Sequence, residues 1–153
     1  MKRNFKMFGL MLVVAALFVG CKWCPVGSPG DYKKLKEDGD TTNYEMTSGS
    51  GFYGKGYLPT TQYASGFGGS YYFTAKEDVT ISYSEKLYHS EESAIRKYPA
   101  VGGDYTYLKD ASDKGLKNQT FEVKTGERIE IVFFDIYYSS KKTTAYEFYL
   151  WAE

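Results

Sequence analysis

Asp78-Val79-Thr80-Ile81-Ser82-Tyr83-Ser84 alternates apolar and polar side chains from Val79 onward. Successive side chains of a β-strand point to opposite faces, so Val79, Ile81 and Tyr83 fall on one side and Thr80, Ser82 and Ser84 on the other. That is the pattern of a strand with one buried face. The same period recurs outward from it. Ser70–Ala75 alternates around Tyr71 and Phe73, and Gln119–Lys124 places Phe121 and Val123 inward. Arg128–Ile136 puts Ile129, Ile131 and Phe133 on one face. Its second half is apolar on both sides (Val132, Phe134, Ile136), as expected of a central strand. Thr143–Trp151 closes the chain, with Tyr146, Phe148 and Leu150 alternating against Glu147 and Tyr149. Asp104–Lys109 and Lys86–His89 carry shorter stretches of the pattern. One helical turn is expected over Ser90–Lys97, stopped by Pro99.

Composition points the same way. The chain has 16 Tyr and 10 Phe, but only six Leu follow residue 20. Strand formers outnumber helix formers, and glycine-rich connections separate the strands. Many short strands without strand–helix alternation predict an all-β domain, a single antiparallel β-sandwich over residues 51–153. Phe73-Thr-Ala75-Lys76 before Val79, Ile81 and Tyr83 is echoed by Phe121-Glu-Val123-Lys124 before Ile129, Ile131 and Phe133. The echo reads as two similar hairpins packed face to face, with Gly126 at a turn position that needs positive φ. The phrase from Phe121 through Gly126-Glu127 to Ile131, followed by a last strand of alternating aromatics, resembles the small jelly-roll-like sandwiches of secreted bacterial enzymes. Pre-peptidase C-terminal domains and some carbohydrate-binding modules are of this kind. The resemblance covers residues 70–152 and implies a jelly-roll-like, non-catalytic accessory module.

The first twenty residues read as an address. Lys2, Arg3 and Lys6 precede an uncharged apolar run, Met7–Gly20, shorter than the roughly 20 residues a transmembrane helix needs. The end of that run, Leu17-Phe18-Val19-Gly20-Cys21, resembles a bacterial lipoprotein signal in a relaxed form, with Phe18 where Leu is commoner. The resemblance implies cleavage after residue 20 and acylation of Cys21. Several acyl chains at about 0.8 kcal/mol per buried CH₂ would hold the protein on a membrane. Lys22, not Asp, follows the cysteine, which by the same resemblance implies the outer membrane or cell surface. Loss of three cations would turn a balanced chain of 19 bases and 19 acids acidic, which argues against a nucleic-acid partner. Cys21-Lys22-Trp23-Cys24 has the spacing of a redox motif, but Pro25, Gly27, Pro29 and Gly30 prevent the helix start that would activate a thiol. Residues 21–50, with Pro25, Pro29 and a Gly/Ser/Thr-rich stretch, are expected to be a lipid-anchored tether.

Catalytic chemistry finds little purchase. His89 is the one histidine, set in a polar stretch expected to be a surface loop. No Gly-x-Ser-x-Gly elbow occurs. One histidine and one free cysteine cannot supply the ligands of a zinc site. Glu91-Glu92 would diverge on a strand. Asp110–Gly115 is shorter than an EF-hand loop, lacks its closing Glu, and reads as a turn rather than a calcium site. Tyr71 stands where a nucleotide-binding Gly-x-Gly-x-x-Gly needs its last glycine after Gly66 and Gly68. No enzyme activity, cofactor or metal is expected.

Two aromatic clusters remain. Gly51–Tyr72 holds Tyr53, Tyr57 and Tyr63 among glycines, and Tyr137-Tyr138 precedes Ser139-Ser140-Lys141-Lys142 in a loop. Tyrosine offers a flat apolar face and a hydroxyl at low entropic cost, which suits sugars or protein surfaces. Most of these rings are expected to pack the sandwich. Tyr53, Tyr57, Tyr63, Tyr137 and Tyr138 are the candidate ligand-binding residues. The expected role is a cell-surface lipoprotein with a binding sandwich for a glycan or protein. The alternative is an accessory, structural or inhibitory subunit of an envelope complex.

Overall fold

The computed structural model describes residues 31–62, 66–89, 91–110 and 115–153. The expected signal segment, Cys21, Cys24, Tyr63, Ser90 and the middle of the Asp110–Gly115 run lie outside the described residues. Among the described residues ten strands follow one another: β1 (Tyr32–Lys34), β2 (Asp40–Met46), β3 (Gly51–Tyr57), β4 (Phe67–Ala75), β5 (Val79–Leu87), β6 (Glu92–Tyr98), β7 (Thr106–Lys109), β8 (Gln119–Val123), β9 (Arg128–Phe134) and β10 (Thr144–Ala152). The front sheet has the order β1-β3-β10-β5-β8 and the back sheet β2-β4-β9-β6-β7. Every connection except β6–β7 changes sheet. Eight strands ordered β3-β10-β5-β8 over β4-β9-β6-β7 make a jelly roll. The all-β sandwich expected from period-two patterning is what the chain forms.

Three local expectations differ. Ser90–Lys97 contains no helical turn among its described residues. It supplies most of β6, which pairs antiparallel with β9, and Ser93 and Ile95 are buried. Tertiary pairing outweighs the weak helical preference of Glu, Ala, Arg and Lys there. The two echoed segments are not hairpins but arches that cross between the sheets. They pair with each other, β4 with β9 and β5 with β8. Gly126 does take a positive φ (83°), and its N–H donates to Ala75 O at 2.7 Å, joining the two arch turns.

The expected tether ends early: β1 and β2 belong to the sandwich, which therefore begins well before residue 51. The two strands run parallel to β3 and β4, the exceptions to an otherwise antiparallel fold. Their bridge from sheet to sheet is pinned at several points. Leu35 N–H donates to Tyr53 O at 2.8 Å, and Gly39 N–H donates to the Tyr71 hydroxyl at 3.0 Å. Leu35 and Met46 are buried beneath it. Thus residues that look like a polar spacer cover the open edges of β3 and β4.

β3 turns Phe52, Gly54 and Gly56 inward, and the two glycines hide its alternation. Gly54 faces Phe148 across the strand pair and Gly56 faces Tyr146. The two rings lie over the bare backbone, and a Cβ on either glycine would run into its partner ring. Tyr146 stacks on Phe133 of the opposite sheet at 3.7 Å and 3°. Tyr71 meets Phe148 edge-on at 4.9 Å. The Tyr71 and Tyr146 hydroxyls lie 3.2 Å apart, and Tyr146 also donates to Gly68 O at 2.8 Å. Buried hydroxyls are thereby partnered, as burial requires.

A polar cluster spans the core from β5 to β6 and β7. Glu85 and Lys109 form an ion pair at 3.1 Å with side chains 0% and 1% exposed. Ser93 Oγ donates to Glu85, Lys109 Nζ donates to Ser93 O at 2.7 Å, and the Tyr83 hydroxyl donates to Glu85 Oε2 at 2.8 Å. Ser93 and Lys109 have the elements of a catalytic dyad, but both are buried, and the cluster acts as a satisfied pin between the sheets.

Candidate functional site: an aromatic shelf on the front sheet

Strand parity sends every second residue of β3, β10 and β5 to the outer face of the front sheet. Tyr53 lies opposite Tyr149, and Tyr149 opposite Ser84. One row along, Tyr32 lies beside Gly51, which faces Trp151, then Ser82, then Thr120. Gly51 is needed here: a Cβ would press into the Trp151 ring. Tyr32 packs edge-on against Tyr149 at 5.4 Å and Trp151 at 5.7 Å, while Tyr53 and Tyr149 lie 4.9 Å apart. The result is a half-buried shelf of four aromatic rings bordered by small hydroxyl residues on β5 and β8.

Glu147 fixes its rim. The carboxylate accepts from the Tyr53 hydroxyl at 2.9 Å and from the Tyr88 hydroxyl at 2.6 Å, one oxygen each. Desolvation first, and the Glu147 hydrogen bond second, push Tyr88 up to about 12 and raise Tyr53 further. Both phenols therefore stay neutral donors at physiological pH. Lys86 lies 4.1 Å over the Tyr88 ring. Lys55 and Lys86 occupy the positions on either side of Glu147. The arrangement offers flat apolar ring surface with hydroxyls and ions around it, which suits the apolar face and edge hydroxyls of a sugar ring.

The predicted site residues divide. Tyr53 belongs to the shelf. Tyr57 points to the same side of β3, but cations crowd it: Lys142 Nζ lies 3.9 Å over its ring, and Lys55 contacts its hydroxyl. Glu37 joins both lysines at 3.2 Å, and those hydrogen bonds, to Lys142 first, lower its pKa. Tyr137 and Tyr138 are 60% and 53% exposed on the loop after β9. That loop adjoins the end of β3, where Ser139 N–H donates to Pro59 O at 2.7 Å and Leu58 N–H donates to Thr143 O at 2.8 Å. Lys142 thus links Tyr57 to the loop of Tyr137 and Tyr138. Tyr63 lies outside the described residues. His89 is exposed, and Glu91 is buried with Oε2 accepting from His89 N–H.

Sequence reading missed Tyr32, Tyr149 and Trp151 as site residues. For the last two the signal was present, since Tyr149 and Trp151 share the parity of Glu147, opposite the core positions. Tyr32 was hidden by its place in an apparent tether. Among the described residues no three His, Cys, Asp or Glu side chains gather to hold a metal ion. Compared with known proteins, the chain matches no family model, no curated protein and no solved structure.

Proposed function

We propose that this chain is a cell-surface lipoprotein whose sandwich is a non-catalytic binding module, with a glycan held on the front-sheet shelf. The observation that carries it is the shelf itself. Tyr32, Tyr53, Tyr149 and Trp151 sit outside a core already filled by Tyr71, Phe73, Phe133, Tyr146 and Phe148. Rings placed there add little to the core, and the Tyr53 hydroxyl is held in position by Glu147.

The anchor fits this use. Asp31 lies ten residues beyond Cys21, so even an extended connection spans at most roughly 35 Å. The described chain begins at the pole that carries Gly51, the β4–β5 and β8–β9 turns, and Glu153. An acylated Cys21 would keep that pole toward the membrane and leave the shelf side-on to solvent. Tyr137 and Tyr138 would then point away from the membrane. Their exposure favours a second reading, in which this far pole docks a protein partner and the chain serves as an accessory subunit.

Binding of the full chain in mild detergent to a panel of immobilised neutral polysaccharides tests the proposal. Tyr149→Ala and Trp151→Ala should each lower retention at least tenfold, with Tyr137→Ala unchanged. No retention on any glycan, or loss only with Tyr137→Ala, would favour the accessory reading. For the anchor, Cys21→Ala should abolish incorporation of a palmitate analogue.

A further inference from the structure

The outer face of the back sheet is built differently. Across its strands one row reads Tyr72, Glu130, Arg96, Tyr107, and the next places Arg128 between Thr74 and Tyr98. Arg96 and Arg128 are therefore diagonal neighbours on paired strands, about 7 Å apart at their origins. Each guanidinium lies over tyrosine rings. Arg128 is 4.4 Å from the Tyr98 centroid and 5.8 Å from that of Tyr72; Arg96 is 5.0 Å from that of Tyr105. Ring contact holds a planar fork in place before any ligand arrives.

Their donors are not used up by the protein. Glu130 is the carboxylate between them; Glu92 and Glu45 lie farther out on the same face, Glu45 paired with Lys76 at 2.7 Å. Glu130 Oε2 takes the Tyr98 hydroxyl at 2.7 Å and Arg96 Nη1 only at 3.4 Å. Arg96 Nε is buried and has no hydrogen-bond partner. Among the described residues Arg128 pairs with no carboxylate, and it is exposed. Around Glu130 two pre-placed guanidiniums meet one carboxylate, and that carboxylate pairs with Arg96, which leaves Arg128 open to an outside anion.

We propose that this face is a second binding site, for a polysaccharide bearing carboxylate or sulfate groups. One oxyanion would bridge Arg96 and Arg128, while exposed Tyr107 meets the neighbouring sugar. A nucleic acid fits less well. Its backbone calls for a basic stripe, whereas this face carries two cations on a chain of balanced charge.

The test is retention of the full chain, in mild detergent, on immobilised polygalacturonate, dextran sulfate, dextran and duplex DNA. Retention is expected on one or both acidic polysaccharides, weakening with salt, and not on dextran. Which of the two retains the chain identifies carboxylate or sulfate as the bound group. Arg96→Gln and Arg128→Gln should each lower retention at least tenfold, and Lys141→Gln, on the far-pole loop, should not. Arg128 lies outside the core, so its variant decides the matter if Arg96→Gln disturbs the sheet. Failure to bind either acidic polysaccharide, equal retention on DNA, or an equal loss with Lys141→Gln would overturn the proposal. Trp151→Ala separates the two faces, since it should weaken neutral glycan binding while leaving polygalacturonate or dextran sulfate retention intact.

Discussion

The two sides of β10 use the same kinds of side chain for opposite ends. Inward, Tyr146, Phe148 and Leu150 are fully buried, and the one hydroxyl among them is answered by Gly68 O and Tyr71. Outward, Glu147, Tyr149 and Trp151 stay half-exposed. Residue type does not separate these roles; parity and cross-strand neighbour do. An aromatic opposite an inward glycine becomes core, as Phe148 does over Gly54. An aromatic beside another outward ring becomes surface, as Tyr149 does beside Tyr53.

The ion pairs divide in the same way, and the largest effect is expected there. Glu85–Lys109 is sealed inside, while Asp78–Lys124 is 60% and 62% exposed. Lys109→Met leaves Glu85 buried without its counter-charge and should cost about 3–5 kcal/mol. Adding Glu85→Leu should recover much of that, because the desolvation penalty then disappears with the charge. Denaturant midpoints at constant slope measure both. A double variant no better than the single one would show that the cluster's hydrogen bonds, rather than its charges, hold the sheets.

Phe148→Ala comes next. Its ring covers Gly54 and meets Tyr71, Phe133 and Tyr83, so truncation opens a cavity against bare backbone, at about 3–5 kcal/mol. Trp151→Ala, on the same strand but outward, should cost roughly 1 kcal/mol or less. Equal costs for the two would break the distinction between core and shelf.

The sandwich was legible because β4, β5, β8, β9 and β10 each repeat an apolar side chain at every second position. It faded where alternation is written in other terms. In β3 two of the inward positions after Phe52 are glycines that partner rings nearly a hundred residues away, a relation that no local window contains. β1 is too short and β2 too polar to signal burial, and both owe their form to the open edges they cover. β6 looked helical because its outward residues, Ala94 and Arg96, are ordinary helix formers; its pairing with β9 was decided at long range. The shelf was half-legible: Tyr53 stood out by context, but Tyr149 was read only as the side opposite the core face and Trp151 only as the end of the strand.

Alkali should separate the inner tyrosines from the outer ones. Burial raises Tyr71, Tyr83 and Tyr146 above the ordinary phenol value, and desolvation with Glu147 brings Tyr88 to about 12. A raised folded pKa stabilises fully below the unfolded value, about 10, and that stability is lost as pH rises through the folded value. The protein should therefore lose stability above about pH 10. Phenolate absorbance should rise in two stages, the second coinciding with loss of the β-sheet circular dichroism signal. A single smooth rise with the sheet intact would mean that the inner tyrosines are reached by solvent.

The smallest effect belongs to Asp78, which joins the turns of the two arches from outside. It accepts from Thr125 N–H at 2.8 Å and Thr125 Oγ1 at 3.0 Å, with Lys124 Nζ at 3.2 Å. The Thr125 N–H bond first, then Lys124, lowers its pKa. A lowered carboxylate stabilises above its unfolded value, about 3.9, and loses that contribution as pH falls through the folded value. Asp78→Asn keeps an acceptor oxygen but not the charge. Its Tm should lie about 1–3 °C below that of the parent at neutral pH, and the two should converge in acid. Solvent screens this pair as it does not screen Glu85–Lys109, so added salt should also shrink the neutral-pH difference while leaving the cost of Lys109→Met in place. A salt-independent difference at Asp78 would mean that the arch turns are tied by hydrogen-bond geometry alone, and that charge acts in this fold only where water is excluded.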